Sequence, residues 1–304
     1  MSARLTPATI SVAIVSKGRP QILAETVESI TRQTLKPQQI VIVVPSADDL
    51  PPNTWGQEIQ ILFGPMGLTL QRNRAIAAVP LTVDYIAFFD DDFELSRDYL
   101  ECAIQFMEAD DGVAGFSGRL LAKRGVDREQ ARKLIADFKP EEHFRGRFVS
   151  EGKDHILHGC NMVIRRALLE HEKFDEELPL YSYAEDYDLS MRLKRYGLIG
   201  KFAGCIGVHL ESPSGRVHEK QRGYSLVANN FYFLKKGTVH LPLPLAWVRF
   251  WTICVAKHLW ICLWKRLNRD ESKDWAGQSK GMVLAVGDIF LGRCRPGRVK
   301  EISP

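Results

Sequence analysis

The sequence predicts an α/β fold in which a mostly parallel sheet is flanked by helices, followed by a C-terminal helical extension. Between residues 10 and 89, short β-branched apolar runs alternate with segments of helical period. The runs are apolar throughout rather than every second residue, as expected of strands buried on both faces, and this favours parallel pairing. The 304 residues suffice for one large α/β domain with an appendage.

Residues 10–15 (ISVAIV) form the first expected strand. The turn SKGRP follows, and Pro20 suits the first turn of a helix because its fixed φ is helical and its missing N–H is not needed there. Ile22, Leu23, Val27 and Ile30 recur at helical spacing, so 21–33 reads as that helix. Residues 39–44 (QIVIVV) and 59–63 are the second and third strands. After the turn GPMG, 69–78 is helical, and 84–89 (DYIAFF) is a fourth strand running straight into Asp90-Asp91-Asp92.

Beyond the acidic triplet the alternation is less regular. Ser96 can cap a helix over 97–108, and 113–121 reads as a strand. Residues 123–155 are charged and poorly periodic, a candidate mobile insertion. Strand character returns at 157–165, a short helix is expected at 166–171, and 185–196 reads as a helix stopped by Gly197.

Composition narrows the class. Hydrophobic residues make up 45% and charged residues 26%, an ordinary balance for a core-forming protein. The net charge of +4 hides an asymmetry: from Lys235 onward there are 13 Lys/Arg against 5 Asp/Glu. The front is therefore acidic and the back basic, which points the back toward an anionic partner, lipid headgroups before nucleic acid. A nucleic-acid reader would want basic and aromatic residues interleaved in the front half, and that half is acidic. The six cysteines contain no C-x-x-C, so zinc and dithiol redox chemistry are not signalled; buried thiols in a reducing compartment are expected. The N-terminal residues lack the basic start and long apolar run of a signal peptide, which sets the expectation of a cytoplasmic protein.

Ligands of open α/β sheets bind at the carboxyl ends of strands, and Asp90-Asp91-Asp92 sits at one such end. Carboxylate oxygens suit Mg²⁺ or Mn²⁺ beside a diphosphate, although an acidic, solvated loop explains the triplet alone equally well. Glu185 and Asp186 open a helix, where the positive dipole end favours anions; a carboxylate there also suits a proton acceptor. His209 lies in a strand followed by a polar loop, and Arg19, Arg72 and Arg216 are candidates to pair with phosphate. None of these features decides the matter singly.

Their order along the chain resembles the family 2 inverting glycosyltransferases. VAIVSKGRPQILAETVESITRQT is similar to that family's opening strand and helix. Gly67 with Arg72-Asn73 matches its Gly…Arg-Asn segment, and FFDDDFELSRDYLE its D-x-D region. HGCNMVIRRALL, KFDEEL and AEDYDLSMRLKRYG resemble its acceptor-side run. The resemblance covers about residues 10–237 and implies a GT-A fold, a nucleotide-sugar donor, a saccharide or lipid-linked acceptor, and Mn²⁺ or Mg²⁺. It implies Asp92 and His209 as metal ligands, and Ser16, Arg19, Arg72, Asp90 and Asp91 toward the donor. Asp186 would be the base, with Glu185 beside it, and Gly159, Asn161 and Arg216 acceptor or phosphate contacts. Relatives often place an Asp directly after the second strand; here Pro45-Ser46 stand there, with Asp48 or Asp49 as substitutes from the loop.

This organisation expects a catalytic part at 1–237, its donor half about 1–122 and its acceptor half about 123–237, and a basic, Trp-rich tail at 238–304. In the tail, Arg249 and Lys257 interrupt the apolar run, so no uncharged stretch approaches the ~18 residues of a membrane span. On a uniform α-helical wheel Arg249, Lys257 and Lys265 point in different directions. Three readings stay open: attachment to a membrane surface at the inner face of the plasma membrane, a helix begun by Pro242 and Pro244 with its tryptophans as core, and an oligomer contact. The rival functions are a sugar-nucleotide-binding scaffold without turnover and a sugar-phosphate nucleotidyltransferase. The latter would want a longer Gly-rich loop than SKGRP, and no G-x-G-x-x-G supports an NAD enzyme.

Overall fold

A computed structural model describes residues 7–52, 55–121, 125–139, 148–150, 156–212 and 217–303. They form two compact units: one within Met1–Met66, Leu70–Phe174 and Arg192–Gly215, the other within Gly67–Thr69, Asp175–Met191 and Arg216–Pro304.

The first unit holds the sheet. Its strands are β1 (Ile10–Val15), β2 (Ile40–Val44), β3 (Ile59–Phe63), β4 (Tyr85–Asp90), β5 (Phe93–Leu95), β6 (Val113–Leu120), β7 (Phe148–Val149), β8 (Asn161–Arg165) and β9 (Leu198–His209). Their order is β3-β2-β1-β4-β8-β6-β9-β5, with β7 also on β9. The four strands read from the first apolar runs are parallel neighbours, while β8 runs antiparallel between β4 and β6. The expected α/β class with a C-terminal helical region is thus the one observed, its sheet parallel over β3-β2-β1-β4 and mixed beyond.

β1 and β2 are buried along their whole length, and in β4 Ile86, Phe88 and Phe89 are at most 1% exposed. Burial of side chains of this size stabilises by about 1.5–3 kcal/mol each, which holds the strand carrying the acidic triplet rigidly at the centre. β3 is an edge strand, with Ile61 and Phe63 half-exposed. The helix α1 (Pro20–Thr31) has Pro20 in its first turn and turns Leu23, Val27 and Ile30 inward. Also in chain order are α2 (Leu68–Ala78), α3 (Tyr99–Ala109), α4 (Arg128–Asp137) and α5 (Glu185–Leu193).

Two local expectations are corrected. Ser96 does not cap α3, which starts at Tyr99. The Ser96 N–H bonds to the Ile206 carbonyl, so the residue continues the β5–β9 ladder instead. Residues 128–137, expected to be irregular, are helical. Asp127 and Gln130 form a reciprocal capping box, and Arg128 and Arg132 both reach Glu94 (2.6 and 3.0 Å), tying a helix with few apolar residues to β5. The rest of the expected insertion at 122–124, 140–147 and 151–155 lies outside the described residues.

The second unit is helical: α6 (Glu219–Lys236), α7 (Leu243–Arg249), a π-helical stretch at Phe250–Lys257, α8 (His258–Leu267) and α9 (Trp275–Phe290). α6 and α9 meet through glycines. A Cβ at Gly223 would lie 2.0 Å from the Gln278 carbonyl oxygen, and one at Gly281 1.9 Å from that of Lys220. Gly237 ends α6 in the left-handed conformation (φ 78°). Asp288 is buried among Tyr224, Arg293 and Arg298. No helix of the described residues is long and apolar enough to cross a membrane.

Candidate functional site

The carboxyl end of the parallel sheet collects the front-half candidates in the first unit. β1 and β4 pair in parallel with Val15 opposite Asp90, so Ser16 and the acidic triplet leave the sheet together. β5 then turns back to pair antiparallel with β9, setting Phe93 opposite His209. The Leu210 N–H bonds to the Asp92 carbonyl (3.0 Å), and this register brings the imidazole to the triplet.

The side chains form a connected network. His209 Nε2 lies 3.0 Å from Asp92 Oδ1 and 3.5 Å from Asp90 Oδ2. Asp92 Oδ2 also accepts the Ser212 N–H (2.7 Å) and faces Arg19 Nη1 (3.4 Å). Asp91 accepts Ser16 Oγ (2.5 Å) and pairs with Arg19 Nη2 (2.6 Å). Arg72 donates to Asp90 (3.2 Å) and to the Gly159 carbonyl (2.9 Å), its guanidinium lying over the Phe174 ring. Arg72, Asp91 and Asp92 are buried, whereas Asp90 and His209 are partly open to solvent.

Burial drives the electrostatics. It pushes the Asp91 carboxyl up to about 7, although Arg19 and Ser16 pull the other way, and the neighbouring Asp92 and Asp90 add to the rise. Burial also opposes ionisation of Asp92, but the His209 hydrogen bond and charge, Arg19 and the Ser212 N–H outweigh it and hold that carboxyl below its ordinary value. For His209 burial favours the neutral ring, yet the Asp92 hydrogen bond raises it to about 11. Asp92 and His209 are therefore an imidazolium–carboxylate pair in the absence of another cation.

Asp90, Asp92 and His209 each offer one ligand atom, all within 4.8 Å of one another. Two hard carboxylate oxygens with one imidazole nitrogen suit a divalent cation. The residues present fit such an ion, which would take the place of the proton the pair now shares.

The sequence profile of Glycosyl transferase family 2 matches residues 11–172, which span β1 to the turn after β8. The chain belongs to this family. A family 2 glycosyltransferase uses a nucleotide-sugar donor and a sugar acceptor, and the strands that the profile covers carry the acidic triplet. No curated protein matches the chain. Among solved structures it is similar to S. aureus TarS 1-349, at 16% identity and TM-score 0.55, over 96% of this chain and 82% of that one. The same TarS fragment in complex with UDP-GlcNAc gives 17% identity and TM-score 0.50, over 78% and 69%. GalNAc-T7 with UDP, GalNAc and Mn²⁺ gives 14% and 0.55, over 81% of this chain and 54% of that one. At these identities the likeness shows the fold, and the fold is GT-A-like.

In this family 2 chain the structure brings Ser16, Arg19, Arg72, Asp90, Asp91, Asp92, Gly159 and His209 together. Asn161 is fully buried and donates to the Gly118 carbonyl (3.1 Å), linking β8 to β6. Arg216 lies outside the described residues. Asp49 is turned inward, holding the Gly18 N–H (2.6 Å) and Ser46, whereas Asp48 is exposed. Glu185 and Asp186 open α5 in the second unit. Asp186 accepts the Tyr187 N–H (2.8 Å), and the approach to it runs through Leu180, Ser182 and Ala184, all at positive φ. Three such non-glycine residues in five positions are a strained lead-in, the kind of backbone that clusters at functional sites. Within the same unit Asp188 of α5 accepts Lys236 and Thr238.

Sequence reasoning missed Thr26, whose Oγ1 donates to the Asp91 carbonyl (2.5 Å), and Ser212, whose backbone N–H reaches Asp92. Thr26 sits three residues past Leu23 on the inward face of α1, and a polar residue there was the available signal. Ser212 acts through its backbone, which leaves no mark on residue type.

Proposed function

We propose that this chain transfers a sugar from a nucleotide-diphosphosugar to an acceptor hydroxyl with inversion at the anomeric carbon. The observation that carries the reading is the convergence of Asp90, Asp92 and His209 at the carboxyl ends of β4 and β9 in a family 2 chain. These three residues would hold Mn²⁺ or Mg²⁺, which when bound supplies Lewis-acid neutralisation of the departing diphosphate. Arg19 and Arg72 keep the acidic triplet oriented, and with Ser16 and Asp91 they line the donor side. Asp186 is the base: it takes the acceptor hydroxyl proton as the new C1–O bond forms and the bond to the diphosphate breaks on the opposite face. Glu185 beside it positions the acceptor. Gly159 and Arg216 are the further contacts of this reading.

The acceptor is a saccharide, free or lipid-linked, of the kind used in cell-surface polysaccharide synthesis. The basic residues of 238–304 support a reading in which the enzyme works at the cytoplasmic face of the plasma membrane. The test is nucleotide release from UDP-, GDP- and dTDP-sugars, with and without Mn²⁺ or Mg²⁺. Cation-stimulated release from one donor is expected, and NMR of the product should show the inverted anomer. Donor binding with no turnover, acceptors supplied, would leave a scaffold in place of an enzyme.

A further inference from the structure

The second unit carries an apolar surface that its own packing does not use. In α8, Cys262 is buried and Leu259 packs against the cluster built on α6 and α9, so the inward face is defined. Trp260, Leu263, Trp264 and Leu267 instead point outward, 64%, 47%, 50% and 72% exposed. Their spacing of i, i+3, i+4, i+7 puts all four on one face. A helix docked on protein ordinarily shows water its polar side; here two tryptophans and two leucines occupy that side. α7 adds Leu243, Leu245 and Val248, each more than half exposed.

The charge around this face is mainly positive, although Asp270, just past its end, pairs with Lys265 (2.6 Å). Residues 243–269 contain Arg249, Lys257, Lys265, Arg266 and Arg269 and no Asp or Glu. Lys265 Nζ lies 5.4 Å from the Trp264 ring, a cation held at the edge of the apolar stripe. Apolar side chains flanked by Trp and by cations match an interface in which hydrocarbon lies beneath anionic headgroups. A second copy of the chain would bring five cations against the same five, and a nucleic-acid backbone would leave the leucines uncovered.

We propose that α8, continued by α7, lies in the plane of an anionic lipid surface. Trp260, Leu263, Trp264 and Leu267 enter the boundary between headgroups and acyl chains, and Lys257, Arg266 and Arg269 meet the lipid phosphates. This deepens the membrane part of the proposed function and does not depend on sugar transfer. What a uniform helical wheel over the whole segment misses is the relation of this face to α7, because a π-helical stretch lies between them. Its i→i+5 turns advance fewer degrees per residue than a uniform wheel assumes, so that wheel misplaces α7 relative to α8.

The experiment uses the full chain with vesicles of phosphatidylcholine containing phosphatidylglycerol, and with phosphatidylcholine alone. Co-sedimentation is expected with the anionic vesicles, weakening several-fold between roughly 0.1 and 0.5 M NaCl because surface charge is screened. The double variant Trp260→Glu/Leu267→Glu should lower partition about tenfold or more, while nucleotide release in vesicle-free solution stays unchanged. Lipids brominated near the headgroup should quench tryptophan emission of the parent chain and much less that of the variant. Equal partition of parent and variant, equal binding to phosphatidylcholine alone, or absence of quenching would each overturn the proposal. So would light scattering showing a dimer that the variant abolishes without any effect of vesicles. Loss of nucleotide release in the parent chain, with vesicle binding intact, would strike the enzymatic reading and leave this one standing.

Discussion

His209 and Asp92, 117 residues apart in the chain, meet with Nε2 3.0 Å from Oδ1 because β5 pairs antiparallel with the end of β9. The contact raises the imidazole and holds the carboxyl below its ordinary value, which favours an imidazolium bound to a carboxylate. With Asp90 the pair is also the set of donors that a divalent cation would occupy. A cation bound by these three residues would displace that proton.

Asp92→Ala removes the residue that faces His209, Arg19 and the Ser212 N–H together. Cation stimulation of nucleotide release should disappear, and kcat/KM should fall by roughly 10²- to 10³-fold, the scale of losing one group that offsets transition-state charge. Mn²⁺ binding followed by electron paramagnetic resonance checks the assignment separately. Stimulation persisting in the variant would place the cation elsewhere.

Asp186→Asn keeps the size and the helical position but cannot take a proton. The expected result is a kcat lower by about 10²- to 10⁴-fold with donor affinity nearly unchanged. Titration of the donor by calorimetry distinguishes this from a binding defect. A weakened donor with unaltered kcat would mean that Asp186 serves binding instead.

Gly223→Ala and Gly281→Ala test the α6–α9 contact, where a methyl group would meet a carbonyl oxygen at 2.0 and 1.9 Å. Overpacking of this kind costs about 1–3 kcal/mol, and a calorimetric scan should show Tm lower by several degrees. Gly287→Ala on the same helix meets nothing within 4 Å. It should raise stability by about 0.5–1 kcal/mol, since alanine loses less backbone freedom on folding. A fall of equal size at all three positions would show that helix packing is not the cause.

Acid should destabilise the second unit through Asp175 and Asp288. Burial raises both carboxyls, but the hydrogen bonds from Lys236 to the first, and from Arg293 and Arg298 to the second, bring them below the ordinary 3.8. A folded value below the unfolded one contributes stability that is complete above about pH 4 and is lost as pH falls through the folded value. Thermal melts from pH 7 to pH 3 should show Tm falling below about pH 4. In Lys236→Met, Tm should be lower at pH 7 and the acid-induced drop smaller. An unaltered acid dependence in that variant would remove Asp175 from the account.

Much of this molecule was legible in its order of residues. Runs such as ISVAIV and QIVIVV read as central strands, because they are short and β-branched and their continuous apolar character leaves no face for water. The acidic triplet at the end of DYIAFF was visible for the same reason, since the apolar strand ends where the carboxylates begin. Elements held by partners rather than by their own period were not visible. β5 is three residues long and exists through its pairing with β9, and α4 depends on two arginines reaching Glu94. The approach of His209 to Asp92 depends on register, and a strand carries no local mark of the neighbour it will choose. The outward face of α8 was hidden in a similar way. The spacing of Trp260, Leu263, Trp264 and Leu267 is present in the chain, but that this side is the uncovered one is decided by packing on α6 and α9, which a periodicity read along the chain does not contain.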